Sequence, residues 1–577
     1  MLTLTSKKKI LHGLRNIYGE DYNSENLQIY ANEIFTVINK LNKKLSKNNK
    51  TKFKISQKTN VVICYGDSIY ENGKLKTLET FRNFYKKKLS KFFNTIHFLP
   101  FYPSSSDSGF AVKDHYKIDN RLGSWSNINN FSKKNYIMAD VVINHASSKG
   151  LWFRNFLRNK SPGKDYFIKV NNKFNVSKVV RPRENRLLKK ITVFGKKDYI
   201  WRTFSEDQID LNFKNPKVLL RFIKIIINLV NHGVTIFRLD AIGYIWKANN
   251  TKCINLVQTH EIIKILRVVC ESIKNSPYIV TETNLPEKQN ISYFGKKNDE
   301  ANWIYNFTLP PLLVHAFLFE NSSKLTMWSK KLPKTKLGNN YLNFISSHDG
   351  IGMRPAEGYL NNNNTNDLFK RLKKNGAKFS FRKVHSSKKK VYEVNITLFN
   401  AFEKTDYDKK GYYFLERYIS AHAIMISFEG VPAVYFNSIF GTSNDEYRYV
   451  ITNNNRDLNR YKWNKKNLEM SLKKKNSKQK IFYENITLLL AVKARQKAFH
   501  PNADRITLNF GKKIFAFKRV SLDKKQEIYC ITNVTSENQS LKLKNNILKY
   551  KNLLNGKMNK EDKTIILSPF QTLWLSK

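Results

Sequence analysis

VTIFRLD, residues 234–240, is the stretch on which the fold turns. It is a short apolar run of strand length whose C-terminal end carries Arg238 and Asp240. Three further stretches share its form, in order along the chain: YIMADVVINH (136–145), YIVTETN (278–284) and NFISSHDGIG (343–352). Strands buried on both faces of a parallel sheet read this way, and polar residues at strand C-termini are where a (β/α)8 barrel keeps its chemistry. VVICYG (61–66), TIHFL (95–99), NWIYNF (302–307) and PAVYF (432–436) are the other candidate strands, which brings the number to eight. Helical segments separate them. NPKVLLRFIKIIINLVNHG (215–233) opens on Asn215 as N-cap with Pro216 in the first turn, and closes on Gly233. The predicted fold class is α/β, a (β/α)8 TIM barrel.

Two intervals break the alternation, 146–210 after the third strand and the lysine- and asparagine-rich 350–411 after the seventh. Insertions at these strand ends lie over the mouth of a barrel, where they shape access. Residues 1–58 read as a helical N-terminal extension, with Leu27, Tyr30, Ile34, Ile38, Leu41 and Leu45 at helical spacing and a basic linker over 42–54. The barrel with its insertions spans 59–502. Over 503–577 the pattern turns to period-two alternation (ITLNF, IFAFKRV, EIYCITNV, TIILSPFQTLWL), which predicts a C-terminal antiparallel β domain.

Composition sets the outer bounds. The 577 residues exceed one simple core, and 41% hydrophobic with 13% aromatic residues is a globular content. Cys64, Cys253, Cys270 and Cys530 form neither a disulfide framework nor a zinc pattern, which favours a reducing cytoplasm. The basic N-terminus has no apolar stretch after it, so no signal peptide is read. FIKIIINLV (222–230), the longest apolar run, is far too short to span a bilayer. The unusual quantity is charge: 102 Lys+Arg against 45 Asp+Glu, formally +57. Such a balance suits a nucleic-acid or anionic-membrane binder. Yet the lysine runs alternate with Asn and Ser, lack interleaved stacking aromatics, and accompany no nucleic-acid-binding motif. They are read as a solvated surface, with no nucleic-acid or membrane partner, that helps attract small anions.

The four motif strands resemble the four sequence regions of the α-amylase superfamily, glycoside hydrolase family 13. LPFYPSSSDSGF (99–110), KDHYKIDNRLGSW (113–125), TFSEDQIDLN (203–212), TETNLPEKQNISYFG (281–295), SHDGIGMRPAEG (347–358) and TNNNRDLNR (452–460) resemble its sucrose phosphorylase branch. The likeness runs from about residue 60 to the C-terminus. Within the branch, the 281–295 and 347–358 wording looks more like the phosphorylases of sucrose 6′-phosphate and glucosylglycerate than those of sucrose.

Glycosidic cleavage passes through an oxocarbenium-like state that needs a carboxylate near the anomeric carbon and a proton donor at the leaving oxygen. The resemblance implies Asp240 as nucleophile, Glu282 as acid/base and Asp349 as the third carboxylate. Arg238, two residues before Asp240 on the same side of a strand, favours its ionised form. The resemblance also implies that His145 and His348 bind sugar hydroxyls, with Phe204 and Gln208 beside them, and that Asp107 and Arg456 grip the far edge of the glucose and close the pocket. Phe110 is a candidate sugar-stacking ring and Asp140 an orienting residue. Phosphate is the expected second substrate beside a small glucoside, with Arg183 and Arg354 as phosphate- or acceptor-binding candidates. No metal or cofactor is required: Asn144 is a calcium-ligand position in many amylases, but the insertion after it has no acidic cluster. The expectation is a retaining glucosyl phosphorylase. A hydrolase or transglucosidase, and a basic binding protein on a relic barrel, are the alternatives.

Overall fold

In the computed structural model, residues 2–46, 52–73, 75–171, 173–193, 195–383, 389–542, 550–556 and 564–577 are described. Residues 47–51 of the linker predicted over 42–54, and residues 384–388, lie outside them. Eight strands close a parallel barrel in chain order: β1 (Val61–Cys64), β2 (Thr95–Phe98), β3 (Tyr136–Val142), β4 (Val234–Asp240), β5 (Tyr278–Thr281), β6 (Trp303–Tyr305), β7 (Asn340–Asn343) and β8 (Val431–Tyr435). Both faces of these strands are covered, which is why they read as apolar runs rather than as alternation.

The seventh strand needs correction. The sequence predicts a strand over 343–352, whereas β7 ends at Asn343. Its last ladder partner is Pro432, which has no N–H with which to continue the pairing. The chain then leaves the sheet, carrying His348 and Asp349 over the barrel mouth. Ile351–Gly352 belongs to a separate antiparallel sheet with Lys389–Asn395 and Lys378–Lys383. His145 likewise lies beyond β3, in the short strand His145–Ser147 paired with Gln208–Asp210.

Two helices precede the barrel, α1 (Leu4–Tyr18) and α2 (Ser24–Leu45). They pack on the helices that flank β4, with α2 on α3 (Pro216–Asn231) and α1 on α4 (Val257–Ser272). The apolar stripe of α2 (Leu27, Ile34, Ile38, Leu41, Leu45) is buried, each such side chain contributing about 1.5–3 kcal/mol. Gly13 lets α1 approach α4 closely, since a Cβ there would lie 2.7 Å from Ile265. Asn42 binds both the Ser272 carbonyl (2.8 Å) and the Lys274 N–H (2.9 Å) at the end of α4. Phe53 seals the bottom of the barrel against Tyr136, Tyr278 and Trp303, the first residues of β3, β5 and β6, with ring centroids 4.5, 5.0 and 5.6 Å away.

The insertion after β3 holds a small antiparallel sheet built from Lys169–Val170, Leu188–Val193 and Lys196–Trp201. At the C-terminus a five-stranded sheet runs in the order Asp504–Asn509, Ile514–Val520, Glu527–Asn533, Thr572–Ser576, Lys551–Asn552, with antiparallel neighbours. The four cysteines are free and buried. Among the described residues, no helix is long and apolar enough to cross a membrane.

Candidate active site

Asp240 ends β4, and the chain turns there through Ala241 in the left-handed region (φ 49°). That turn aims the Ala241 N–H at Glu282, one residue past β5, whose Oε2 accepts it at 2.9 Å. Arg238 links the group: its Nη1 lies 2.7 Å from Asp240 Oδ1 and also contacts Asp140, while Nη2 is 3.9 Å from Glu282 Oε2. Asp140, fully buried on β3, takes a second bond from His97 Nε2 (2.8 Å). Arg238 is thereby fixed between carboxylates rather than free to collapse onto one.

This arrangement sets the titration of the two acids. Burial pushes Asp240 up to about 6, against the pull of Arg238 and with the push of Asp140. Burial lifts Glu282 to about 7, again opposed by Arg238 and reinforced by Asp240. Asp349 faces the same cavity of about 460 Å³, whose wall also includes Asp107, Phe110, His145, Phe204, Gln208, Arg183, Arg238 and Arg456. His348 lines a narrower recess of about 40 Å³ that shares Arg238, Glu282, Asp349 and Arg456.

The two histidines differ. His145 Nε2 meets the Phe110 carbonyl at 3.1 Å and Nδ1 the Asn144 amide at 3.3 Å, so the protein engages both nitrogens. Among the described residues neither nitrogen of His348 makes a hydrogen bond, although Nε2 lies 3.5 Å from Asp349 Oδ2. Burial, with Arg460 and Arg238 nearby, keeps His348 neutral by driving its pKa well below the usual histidine range. Its ring stacks on Phe110 (5.1 Å, 5°), so Phe110 braces a histidine as well as lining the cavity. Phe204 stands 5.4 Å from both the His145 and Tyr244 rings. Gln208 Nε2 donates to Asp107 at 3.4 Å.

Arg456 does reach Asp107, at 3.8 Å, but its nearer partners are Glu393 (2.8 Å) and Asp349 (2.9 Å). Arg460 is the cation closer to Asp107, at 3.3 Å, and it also donates to the His348 carbonyl (3.1 Å). Burial alone would raise Asp107, but Arg460, Arg456 and Arg183 hold it below the usual carboxylate range. Arg460 and Glu393 escape the sequence reading. Arg460 ends the motif TNNNRDLNR, four residues after Arg456, and Glu393 is an acid within the basic run KKKVYEV.

Arg183 lies over the ring of Tyr392 at 5.2 Å and lines the cavity, whereas Arg354 is buried outside the cavity wall. The Glu357 carboxylate is taken by Arg382 (2.6 Å). Buried N–H groups of Arg183 (Nη1), Arg354 (Nε, Nη1) and Arg382 (Nε) have no hydrogen-bond partner among the described residues. All three charges act on Tyr244, a cavity residue whose hydroxyl is itself unpartnered. Burial, and the neighbouring charge of Arg354, depress the pKa of Arg382. Each of the three arginines thus keeps at least one buried N–H without a hydrogen bond among the described residues, although Arg382 also pairs with Glu357.

Among the described residues, no three His, Cys, Asp or Glu side chains are grouped to hold a metal ion. Asn144 faces an ammonium instead. Lys247 Nζ lies 2.5 Å from Asp210 Oδ2 and 3.1 Å from Asn144 Oδ1, and contacts the Tyr244 carbonyl. The residues present therefore do not fit a calcium ion at this position.

The sequence profile of the alpha-amylase catalytic domain matches residues 85–372. The chain is 33% identical over 576 residues to the glucosylglycerate phosphorylase of Escherichia coli K12, covering 99% of this chain and all of that protein. It is 35% identical to the glucosylglycerate phosphorylase of Allomeiothermus silvanus, over 90% of this chain and 91% of that one. The crystal structure of sucrose 6F-phosphate phosphorylase from Thermoanaerobacter thermosaccharolyticum superposes with a TM-score of 0.72 at 22% identity, covering 84% of this chain and 95% of that one.

Proposed function

The chain belongs to the α-amylase family, in its sucrose phosphorylase branch, and from that premise we propose a glucosylglycerate phosphorylase in which Asp240, Glu282 and Asp349 carry the chemistry. As a glucosyl phosphorylase it takes a glucoside and phosphate and releases glucose 1-phosphate. In the first half-reaction Asp240 attacks the anomeric carbon while Glu282 protonates the departing glycosidic oxygen. A glucosyl ester on Asp240 and free acceptor result. Phosphate then attacks the same carbon, Glu282 takes the proton that the attacking oxygen gives up, and Asp240 leaves as carboxylate. Two inversions give α-glucose 1-phosphate with retained configuration. Asp349 favours the cationic transition state, and neutral His348, whose Nε2 lies 3.5 Å from Asp349 Oδ2 and whose Nδ1 makes no hydrogen bond among the described residues, suits sugar hydroxyls.

The observation that carries the choice of acceptor is the set of unpartnered guanidinium donors of Arg183, Arg354 and Arg382 beside Tyr244. Glycerate brings a carboxylate that meets such donors, and phosphate, arriving in the second half-reaction, is also an anion. Fructose brings no charge. The test is glucose 1-phosphate release from glucosylglycerate, sucrose and sucrose 6′-phosphate, with and without phosphate, with Asp240→Asn as control. Phosphate-dependent release from glucosylglycerate, abolished in the control, is expected. Faster release from sucrose 6′-phosphate would reassign the acceptor, and free glucose independent of phosphate would make the enzyme a hydrolase.

A further inference from the structure

We propose that Glu393, in the insertion after β7, is a positioning residue for the glucosyl pocket, holding Arg456 so that its guanidinium presents Nη1 to Asp349. This rests on reading that cavity as a glucosyl site. The Glu393 side chain is 3% exposed and binds one whole edge of Arg456, Oε1 accepting from Nε at 3.1 Å and Oε2 from Nη2 at 2.8 Å. Asn395 Nδ2 donates to Oε1 at 2.6 Å and fixes the carboxylate in turn. A guanidinium is a planar fork, so mooring the Nε–Nη2 edge determines where Nη1 points. Nη1 lies 2.9 Å from Asp349 Oδ1 and 3.8 Å from Asp107 Oδ2, the two acids of the cavity wall that it serves.

Charge gives Glu393 a second effect. Arg456 and Arg460 face Asp107, Asp349 and Glu393. Burial would push Glu393 up, but Arg456 holds it ionised. With Glu393 absorbing one edge of Arg456, Asp349 takes a single N–H from that guanidinium, at 2.9 Å, beside Arg460 Nη2 at 3.5 Å. Without it, the fork is free to close both edges on Asp349 and occupy the oxygens that sugar hydroxyls need. The backbone under Glu393 is rigidly placed. Its strand pairs with Gly352 and Ser380, and a Cβ at Gly350 would lie 2.4 Å from the Val394 carbonyl. Tyr392, the preceding residue, lines the same cavity beneath Arg183, so this one strand serves both the sugar clamp and the anion-binding donors.

The test is Glu393→Gln and Glu393→Asp with α-glucose 1-phosphate as glucosyl donor and glycerate as acceptor. Glu393→Gln is expected to raise KM for the donor about tenfold and to lower kcat by a further several-fold, with KM for glycerate changed less than about twofold. Glu393→Asp, which keeps the charge, is expected to recover most of the loss. Glucose binding by calorimetry in an Asp240→Asn background separates this idea from the assignment of the reaction. A roughly tenfold weakening on adding Glu393→Gln supports the positioning role whatever the acceptor proves to be. Unchanged glucose affinity in that background, or equal losses toward donor and glycerate with Glu393→Asp no better than Glu393→Gln, would sink it. Absence of glucose 1-phosphate turnover by the unaltered enzyme would instead count against the phosphorylase assignment.

Discussion

In the proposed mechanism Asp240 and Glu282 face opposite protonation demands at nearly the same pH. Asp240 must be ionised to attack, so kcat/KM rises as pH climbs through about 6. Glu282 must hold its proton, so kcat/KM falls as pH climbs through about 7. A bell between these limits is expected, its two values belonging to the interacting pair rather than to either residue. Glu282→Gln should abolish turnover of glucosylglycerate yet retain glucosylation from α-glucosyl fluoride, whose leaving group needs no acid; loss of both reactions would disfavour the acid role. The same raised pKa carries a stability cost. Between pH 4.5 and about 7 the folded protein holds a proton on Glu282 that the unfolded chain releases, so stability declines as pH rises across that window. Glu282→Gln removes that ionisation and should raise Tm at pH 8 by about 2 °C, checked by calorimetry. At this scale Asp240 and Glu282 were legible because each closes an apolar strand, whereas Asp349 lies beyond the end of β7. Arg382 was not singled out in the sequence, since a basic chain offers many arginines and only its buried Nε, without a hydrogen bond among the described residues, marks it.

Elements show why reading stopped where it did. Strands β3, β4 and β5 announce themselves as β-branched runs, whereas the stop of β7 depends on Pro432, far downstream in the chain, and no local signal reveals it. The N-terminal helices were visible in the spacing of α2, but their docking site was not, because it is a surface of two other helices. That docking bears on the site. The Tyr18 hydroxyl donates to the Phe213 carbonyl at 2.9 Å, and its ring lies 6.2 Å from Trp246, on the loop that follows Asp240. The loop contains four left-handed non-glycine residues, Ala241, Asn250, Cys253 and Asn255, a conformation that persists only under external restraint. Tyr18→Ala should therefore cost about 3–5 kcal/mol of stability and lower kcat more than it raises donor KM, while Tyr18→Phe should retain most of both. Urea melts alongside steady-state kinetics would decide it, an unchanged kcat in folded Tyr18→Ala counting against any link to the loop.

For the whole molecule, a formal charge of +57 surrounds a cavity whose own wall is rich in both signs. Such a field draws small anions such as phosphate toward the protein and is screened over about 10 Å at 0.1 M salt. The kcat/KM for phosphate should fall several-fold between 20 and 500 mM sodium chloride, with kcat at saturating phosphate nearly constant. A flat salt profile would mean that the lysines lie too far from the mouth to matter. The overall charge was plain in the sequence, but its function was not, because composition carries no position. Lys247 is one cation whose place the fold fixes, by Asp210, Asn144 and the Tyr244 carbonyl. Being tethered to the chain, it has no dissociation constant: dilution cannot empty the site and a chelator has nothing to remove. Lys247→Ala would leave one carboxylate and two neutral oxygens facing the same point, ligands that suit a hard cation. The variant's melting temperature should then depend on added calcium where the parent's does not, turning a property written into the chain into one borrowed from the medium.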